Sequence, residues 1–203
     1  MADKVTGTMI VILVIGALLG AGGMYYYDQT TTVPAAYQQG MAVAPQAVLT
    51  AAKLDYTWDV SGTFDFTGDV VNGTVPAQVD NSDELYIANV DPTYDATGLV
   101  VTLKNPKTGA SGLDADLTDA LGKITITIDY GTTYGITLLK DSTFHDRSIG
   151  DLTSGATTYI GITVTLEKNL HDVLTDGQAY DCTLYVWQPG ADNVDSVDFI
   201  IQA

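Results

Sequence analysis

The sequence predicts a mainly β protein, in which an N-terminal apolar helix precedes a single antiparallel β-sandwich of the immunoglobulin-like or jelly-roll kind. Three observations carry this prediction. Residues 5–27 contain no Asp, Glu, Lys, Arg or His. Beyond residue 53, apolar and polar side chains alternate with the period of two that is typical of half-buried strands. Asn-Gly, Asn-Pro, Ser-Gly, Asp-Gly and Pro-Gly pairs separate these runs and indicate turns.

The first element is the uncharged run Val5–Tyr27, which is 23 residues long. At about 1.5 Å of rise per residue, a helix of this length crosses a hydrocarbon core of about 30 Å. Tyr25, Tyr26 and Tyr27 lie where the run ends, and amphipathic aromatic residues at that depth are typical of a membrane interface. We therefore interpret residues 1–27 as a transmembrane helix or as a helix packed in the core of a filament.

Cleavage of this segment as a signal peptide is the alternative. The apolar run is longer than the hydrophobic region of a signal peptide, and the nearest A-x-A-like triplet, residues 42–44, lies far beyond it, so we expect the helix to be retained. Lys4 favours a cytoplasmic N-terminus if the helix spans a membrane.

One face of the predicted helix suits close packing against another helix. Gly16 and Gly20 are four residues apart, and Ala17 and Ala21 lie beside them. This small-xxx-small pattern brings helix backbones close together. We expect these four residues to form the packing face if the helix associates with copies of itself.

Residues 28–53 are predicted to form a semi-extended stalk. Pro34 ends the helical pattern, and the segment contains many Ala, Thr and Gln residues without a sustained apolar period. A strand near residues 47–54 has two interpretations, donation into a neighbouring subunit or pairing within its own head, and the second is favoured.

The head, residues 54–203, is predicted to contain about eight strands and two short helices. Its clearest alternation occurs at residues 124–129 and 160–166, where Ile, Val and Leu alternate with Thr, Gly and Asp. The final predicted strand has two interpretations, an edge position or an interior one. The other predicted strands are 56–66, 85–88, 99–104, 134–139, 182–187 and 197–201, and the predicted helices are 113–121 and 170–174.

The composition is strongly acidic. Lys and Arg total 8 against 25 Asp and Glu, which gives a net charge of −17. Such a surface repels nucleic acid and anionic lipid head groups, so neither is an expected partner. The simplest role of the excess carboxylates is to keep the head soluble.

No residue is predicted to be catalytic. The sequence contains no nucleophile elbow, P-loop or dinucleotide-binding motif, and His145 and His171 lie in separate segments without zinc-ligand spacing. Cys182 is the single cysteine, so no intrachain disulfide forms. It lies in an alternating strand, which favours a buried structural thiol over a nucleophile. The sequence therefore predicts a protein that is not an enzyme.

The sequence contains one candidate calcium site and one candidate glycosylation site. Asp114, Asp116 and Asp119 are the carboxylates most suited to calcium, although a solvated turn is the favoured interpretation. No other cofactor is expected. Asn72 begins the single N-x-[ST] sequon, and its Asn-Gly pair also fits a β-hairpin without any glycan.

The opening of the apolar run, residues 5–11 (VTGTMIV), is similar to the start of the helices of archaeal pilins and archaellins. The plan of an uncharged helix with a Thr-rich β head resembles the same proteins, whose helices bundle into a filament core. Residues 150–155 (GDLTSG), which lead into the strand at 160–166, are similar to TasA-like fibre subunits, sandwiches joined by donated strands.

These observations lead to two functional hypotheses. The first is a non-enzymatic structural subunit of a cell-surface assembly, either an extracellular filament or pilus or an envelope layer. It polymerises with copies of itself through its N-terminal helix and its head. The alternative is a monomeric, membrane-anchored binding or adhesion module, or an accessory subunit of an envelope or virion complex.

Overall fold

The structure is a computed structural model that describes residues 51–69, 78–192 and 194–203. These residues form eleven strands and one 3₁₀ helix. The helix, η1, spans Ala115–Lys123. The strands are β1 (Leu54–Trp58), β2 (Thr63–Asp65), β3 (Gln78–Asn89), β4 (Ala96–Thr102), β5 (Ile124–Tyr130), β6 (Thr133–Lys140), β7 (Thr143–Phe144), β8 (Arg147–Leu152), β9 (Thr157–Glu167), β10 (Ala179–Trp187) and β11 (Asp195–Gln202).

The strands form two sheets. The six-stranded sheet has the order β1-β3-β9-β5-β6-β7, and the five-stranded sheet has the order β2-β11-β10-β4-β8. All pairs are antiparallel except β2 with β11, which is parallel. The mainly β class is confirmed, and the predicted antiparallel pairing holds for every described pair of strands except β2 with β11, which makes the second sheet mixed. The immunoglobulin-like or jelly-roll type stays a prediction.

The core is built from the inward side chains of both sheets. Ile126 on β5 and Val164 on β9 are paired in register and completely buried, whereas the intervening Thr side chains point outward. Burial of an aliphatic side chain of this size contributes about 1.5–3 kcal/mol. Leu117 and Ala120 of η1 join the same cluster, so the helix covers part of the core.

A buried carboxylate fixes the crossing from β1 to β2. Asp83 on β3 is 8% exposed and accepts hydrogen bonds from the backbone N–H groups of Val60, Ser61 and Gly62, at 3.3, 3.2 and 2.9 Å. Gly62 has a φ of +62°, and a Cβ there would lie 2.5–2.7 Å from the indole of Trp58. The chain therefore turns sharply between the sheets only with glycine at this position.

Several predicted boundaries need correction. The run at 56–66 is two strands in different sheets, and residues 170–174 form a single turn closed by Leu174 N–H and Leu170 O at 2.7 Å rather than a helix. The last strand, β11, lies in the interior of its sheet. β1 pairs with β3 of its own chain. The strand predicted near residues 47–54 falls mostly on residues that the structure does not describe, and residues 51–53 are not in a strand, so both of its interpretations stay predictions.

Some predictions fall on residues that the structure does not describe. These are the helix at 1–27 with its packing face and tyrosines, most of the stalk at 28–53, and the sequon at Asn72. Among the described residues, no helix has the length and apolar character that crossing a membrane requires.

Candidate functional site

The outer face of the six-stranded sheet presents side chains in ordered rows. β9 lies between β3 and β5, and its outward residues are in register with those of both neighbours. Thr163 and Thr127 form one pair across β9 and β5, and Thr165 and Thr125 form the next. Thr165 also donates its hydroxyl to a carboxylate oxygen of Asp80 at 2.5 Å. The face therefore presents polar side chains over several strands.

A groove crosses this face where β9 carries a glycine. Gly161 is paired with Glu84 on β3 and with Asp129 on β5, so a position without a side chain lies between two carboxylates. The space above it, which we call the Gly161 groove, has a volume of about 350 Å³. It is also lined by Asp59, Val60, Ser82, Asp83, Ile162 and Thr163.

Two tyrosines stand beside the groove. Tyr86 and Tyr159 are paired across β3 and β9, and their ring centroids are 6.0 Å apart at an interplanar angle of 43°. Tyr159 is 49% exposed. The Tyr86 hydroxyl donates to Glu84 at 3.1 Å, and this hydrogen bond raises the pKa of the tyrosine above its ordinary value. The contact also orients the Glu84 carboxylate at the wall of the groove.

The groove concentrates negative charge. Asp59, Asp83, Glu84 and Asp129 line it, and none of the described lining residues is Lys or Arg. One oxygen of Asp129 accepts the backbone N–H of Gly135 at 2.6 Å, which fixes that carboxylate against β6. Carboxylates only accept hydrogen bonds when ionised, so the groove suits a donor that carries positive charge.

The predicted calcium residues lie around the start of η1. Asp114 caps the helix, because one carboxylate oxygen accepts the N–H of Asp116 at 2.9 Å and the other accepts the N–H of Asp181 at 3.3 Å. Asp116 and Asp119 line a separate polar groove with Tyr180. In the described parts of the chain, no three His, Cys, Asp or Glu side chains are grouped in a way that could hold a metal ion. Calcium binding by these residues stays a prediction.

Cys182 is the buried structural thiol that the alternation predicts. It is 2% exposed, and its Sγ donates to the carbonyl oxygen of Tyr180 at 3.6 Å. Burial raises the pKa of the thiol to about 12, so it stays protonated at neutral pH. The thiolate that a nucleophile requires is therefore scarce.

The sequence alone does not predict the Gly161 groove. Glu84 follows Asp80 and Asp83 in the sequence, but Asp129 lies 45 residues further along the chain. Only the pairing register of three strands brings both carboxylates beside Gly161. The one local signal was a glycine in the middle of an alternating run, which often marks a close approach.

No protein-family model matches the sequence, and a search of curated proteins gives no significant match. Three of the solved structures that resemble the chain differ widely in kind. A family 123 glycoside hydrolase from Clostridium perfringens has 8% identity and a TM-score of 0.35, with coverage of 74% of this chain and 27% of that one. The chain thus spans about a quarter of the hydrolase.

The second is the CooA pilin subunit from enterotoxigenic Escherichia coli, at 10% identity and a TM-score of 0.39, covering 73% of this chain and 95% of that one. The third is the collagen-binding subdomain of the Enterococcus faecalis surface protein ACE, at 9% identity and a TM-score of 0.24, covering 63% and 97%. At these scores the likenesses carry no argument about function.

Proposed function

We propose that this chain is a non-enzymatic structural subunit of a cell-surface assembly, an extracellular filament, pilus or envelope layer. The β head is the exposed part, and residues 1–27 are the anchor or filament core. The observation that carries the proposal is the division of apolar surface within one chain. The uncharged run of 23 residues is continuous, whereas the apolar side chains of the head are gathered into one core.

The exposed surface of the head supports the same division. Five large apolar side chains are exposed among the described residues, and they belong to four separate strands or loops. Scattered residues of this kind are normal on a soluble surface and need no cover. The hydrophobic drive for assembly therefore comes from the N-terminal run. The exposed residues are Val60, Val90, Tyr94, Tyr134 and Tyr159.

Electron microscopy of the full-length protein purified from its native source tests the proposal. We expect ordered polymers, with N-terminal sequencing that finds the apolar run retained. A Gly16→Leu and Gly20→Leu double variant is expected to reduce polymer formation, because bulky side chains separate helices packed through small residues. Leu18→Ile, which keeps the volume within the same run, is the matched control. Dispersed monomers of the unmodified chain contradict the proposal.

The second candidate function is a monomeric, membrane-anchored binding or adhesion module. The Gly161 groove favours it, because an exposed tyrosine, Tyr159, packed against the half-buried Tyr86 beside a charged concavity is typical of a recognition surface. Monomers that bind a soluble ligand at this groove support this function over the first.

A further inference from the structure

We propose that the Gly161 groove, together with Tyr86 and Tyr159, is a docking site for an arginine side chain of a partner protein. This inference rests on the second candidate function, in which the head binds a partner, and it names the chemistry of that partner. It concerns the outer face of the six-stranded sheet, and three features of the described residues carry it.

The first feature is charge complementarity. Asp59, Glu84 and Asp129 line the groove beside the buried Asp83, whose carboxylate is occupied by backbone N–H groups, and no described lining residue is basic. The chain as a whole carries a net charge of −17, so its overall field attracts cations and repels anions. A phosphate, a sulfate or an acidic peptide is therefore a poor occupant. A cationic group, in contrast, is attracted electrostatically both during its approach and once it lies in the groove.

The second feature is the placement of the carboxylates and the rings. Glu84 and Asp129 lie on the strands to either side of Gly161, and neighbouring strands are about 4.8 Å apart. Tyr159 is two residues along β9, a rise of about 6.6 Å on the same face. A guanidinium above Gly161 therefore reaches a carboxylate on each side and the tyrosine rings beside it. Its planar fork of donors and its affinity for aromatic faces match this set of partners.

The third feature is the width of the opening. Along β9 the opening is one outward residue wide, because Gly161 lacks a Cβ whereas the next outward residues, Tyr159 and Thr163, both carry side chains. The space suits a narrow group on a flexible stem that enters end-on. An ammonium attached directly to a sugar ring lacks that stem, which favours an arginine side chain over an amino sugar.

Titration of the full-length protein with a capped glycine–arginine pentapeptide tests the proposal, with calorimetry for affinity and amide NMR for location. We expect saturable binding that weakens as salt increases, with the largest shifts at Gly161 and its neighbours on β3 and β5. The citrulline analogue, which has the same shape without the charge, is expected not to bind. Equal binding of the two peptides, or binding of chitosan oligosaccharide in preference to the arginine peptide, overturns the proposal.

Substitutions in the groove distinguish specific docking from non-specific attraction to an acidic surface. Gly161→Thr fills the space without changing the charge, and we expect at least about a tenfold loss of affinity. The fold is expected to accept the change, because a Cβ at Gly161 lies 3.5 Å from the Asp129 Cβ, an ordinary contact. Gly161→Ala is the smaller variant if Gly161→Thr melts early. Unchanged affinity in either folded variant overturns the proposal.

Variants that remove a carboxylate charge or an aromatic ring test the individual contacts of the arginine side chain. Glu84→Gln and Tyr159→Ala are each expected to weaken binding about fivefold, through a lost ion pair and a lost cation–π contact. Asp146→Asn removes the same charge from an exposed site between β7 and β8 and is expected to leave the affinity unchanged. An equal effect of Asp146→Asn overturns the proposal. Absence of peptide binding overturns the docking proposal, whereas the microscopy test of polymer formation is unaffected. The docking proposal and the structural-subunit proposal can therefore fail separately.

Discussion

Asp83 shows how one side chain can determine a change of sheet. Burial alone raises the pKa of its carboxyl, but backbone N–H donors from Gly62, Ser61, Glu84 and Val60 outweigh that effect, and the pKa lies below its ordinary value. The folded state therefore favours the ionised form. Hydrogen bonds to a charged acceptor contribute about 1.5–3 kcal/mol each in favourable cases.

We expect Asp83→Asn to lower the free energy of unfolding by about 1–3 kcal/mol at pH 7, because an amide accepts fewer and weaker hydrogen bonds than a carboxylate. Since the folded pKa is depressed, the stabilisation is present above the unfolded pKa of about 3.9 and is lost as the pH falls through the folded value. The variant should therefore lose less stability than the unmodified chain in that acid range. Denaturant unfolding at several pH values measures both effects. Asp146→Asn is the control. If the stability of Asp83→Asn depends on pH in the same way as that of the unmodified chain, the ionised Asp83 carboxylate does not stabilise the fold.

At the scale of elements, Gly112, a residue outside any strand, forms a backbone hydrogen bond with β10. Gly112 donates its N–H to Leu103 O at 2.8 Å and accepts the N–H of Thr183 at 2.6 Å. A Cβ on Gly112 would overlap the carbonyl oxygen of Thr183 and would lie 3.0 Å from the ring of Tyr185. Only glycine allows this loop to lie directly against β10.

Gly112→Ala is therefore expected to cost about 1–3 kcal/mol of stability, because the backbone must move apart to admit the methyl group. Gly122→Ala, in η1, is the matched control. The nearest atom to its added Cβ is Ser142 Oγ at 3.6 Å, and alanine favours helix, so we expect little change or a small gain. Thermal and denaturant unfolding of both variants give the comparison. Equal stability of the two variants shows that the contact at Gly112 relaxes freely.

The elements also show which parts of the fold were predictable. β5 and the core of β9 follow from strict alternation, because each has one face in the core and one in solvent. β8 was missed, since Gly150 and Asp151 interrupt its pattern and its pairing with β4 shifts register there. The first half of β3 was missed because its outward residues and Asp83 are polar. The alternating pattern indicates which face of a strand is buried but not which strands are neighbours, and the Gly161 groove depends on β9 lying between β3 and β5.

For the whole molecule, unbalanced charge is the dominant electrostatic feature. The sequence contains 8 Lys and Arg against 25 Asp and Glu, and in the described part of the chain His171 Nε2 lies 3.1 Å from the Asp172 carboxylate, with both side chains exposed. The excess carboxylates therefore repel one another with few attractive pairs to offset them. Salt screens repulsion and attraction alike, so its net effect on this chain is expected to be stabilising.

We expect the melting temperature of the full-length protein to increase between about 20 mM and about 500 mM NaCl at pH 7, by about 2–4 °C for each 1 kcal/mol gained. Scanning calorimetry measures the shift. Near pH 3.5 the carboxylates are partly protonated and the effect should shrink. A melting temperature that falls with salt at pH 7 means that attractive pairs dominate instead.

The parallel pairing of β2 with β11 has a consequence for biosynthesis. Among the described strands, β2 lies at the edge of its sheet and pairs with β11 alone, with Thr63 opposite Ile200, 137 residues later in the chain. A nascent polypeptide that has left the ribosome only as far as β10 thus leaves β2 without this strand partner. Closure of this contact spans nearly the whole head, a topology that slows folding. Completion of the five-stranded sheet must therefore await translation of its last-made strand.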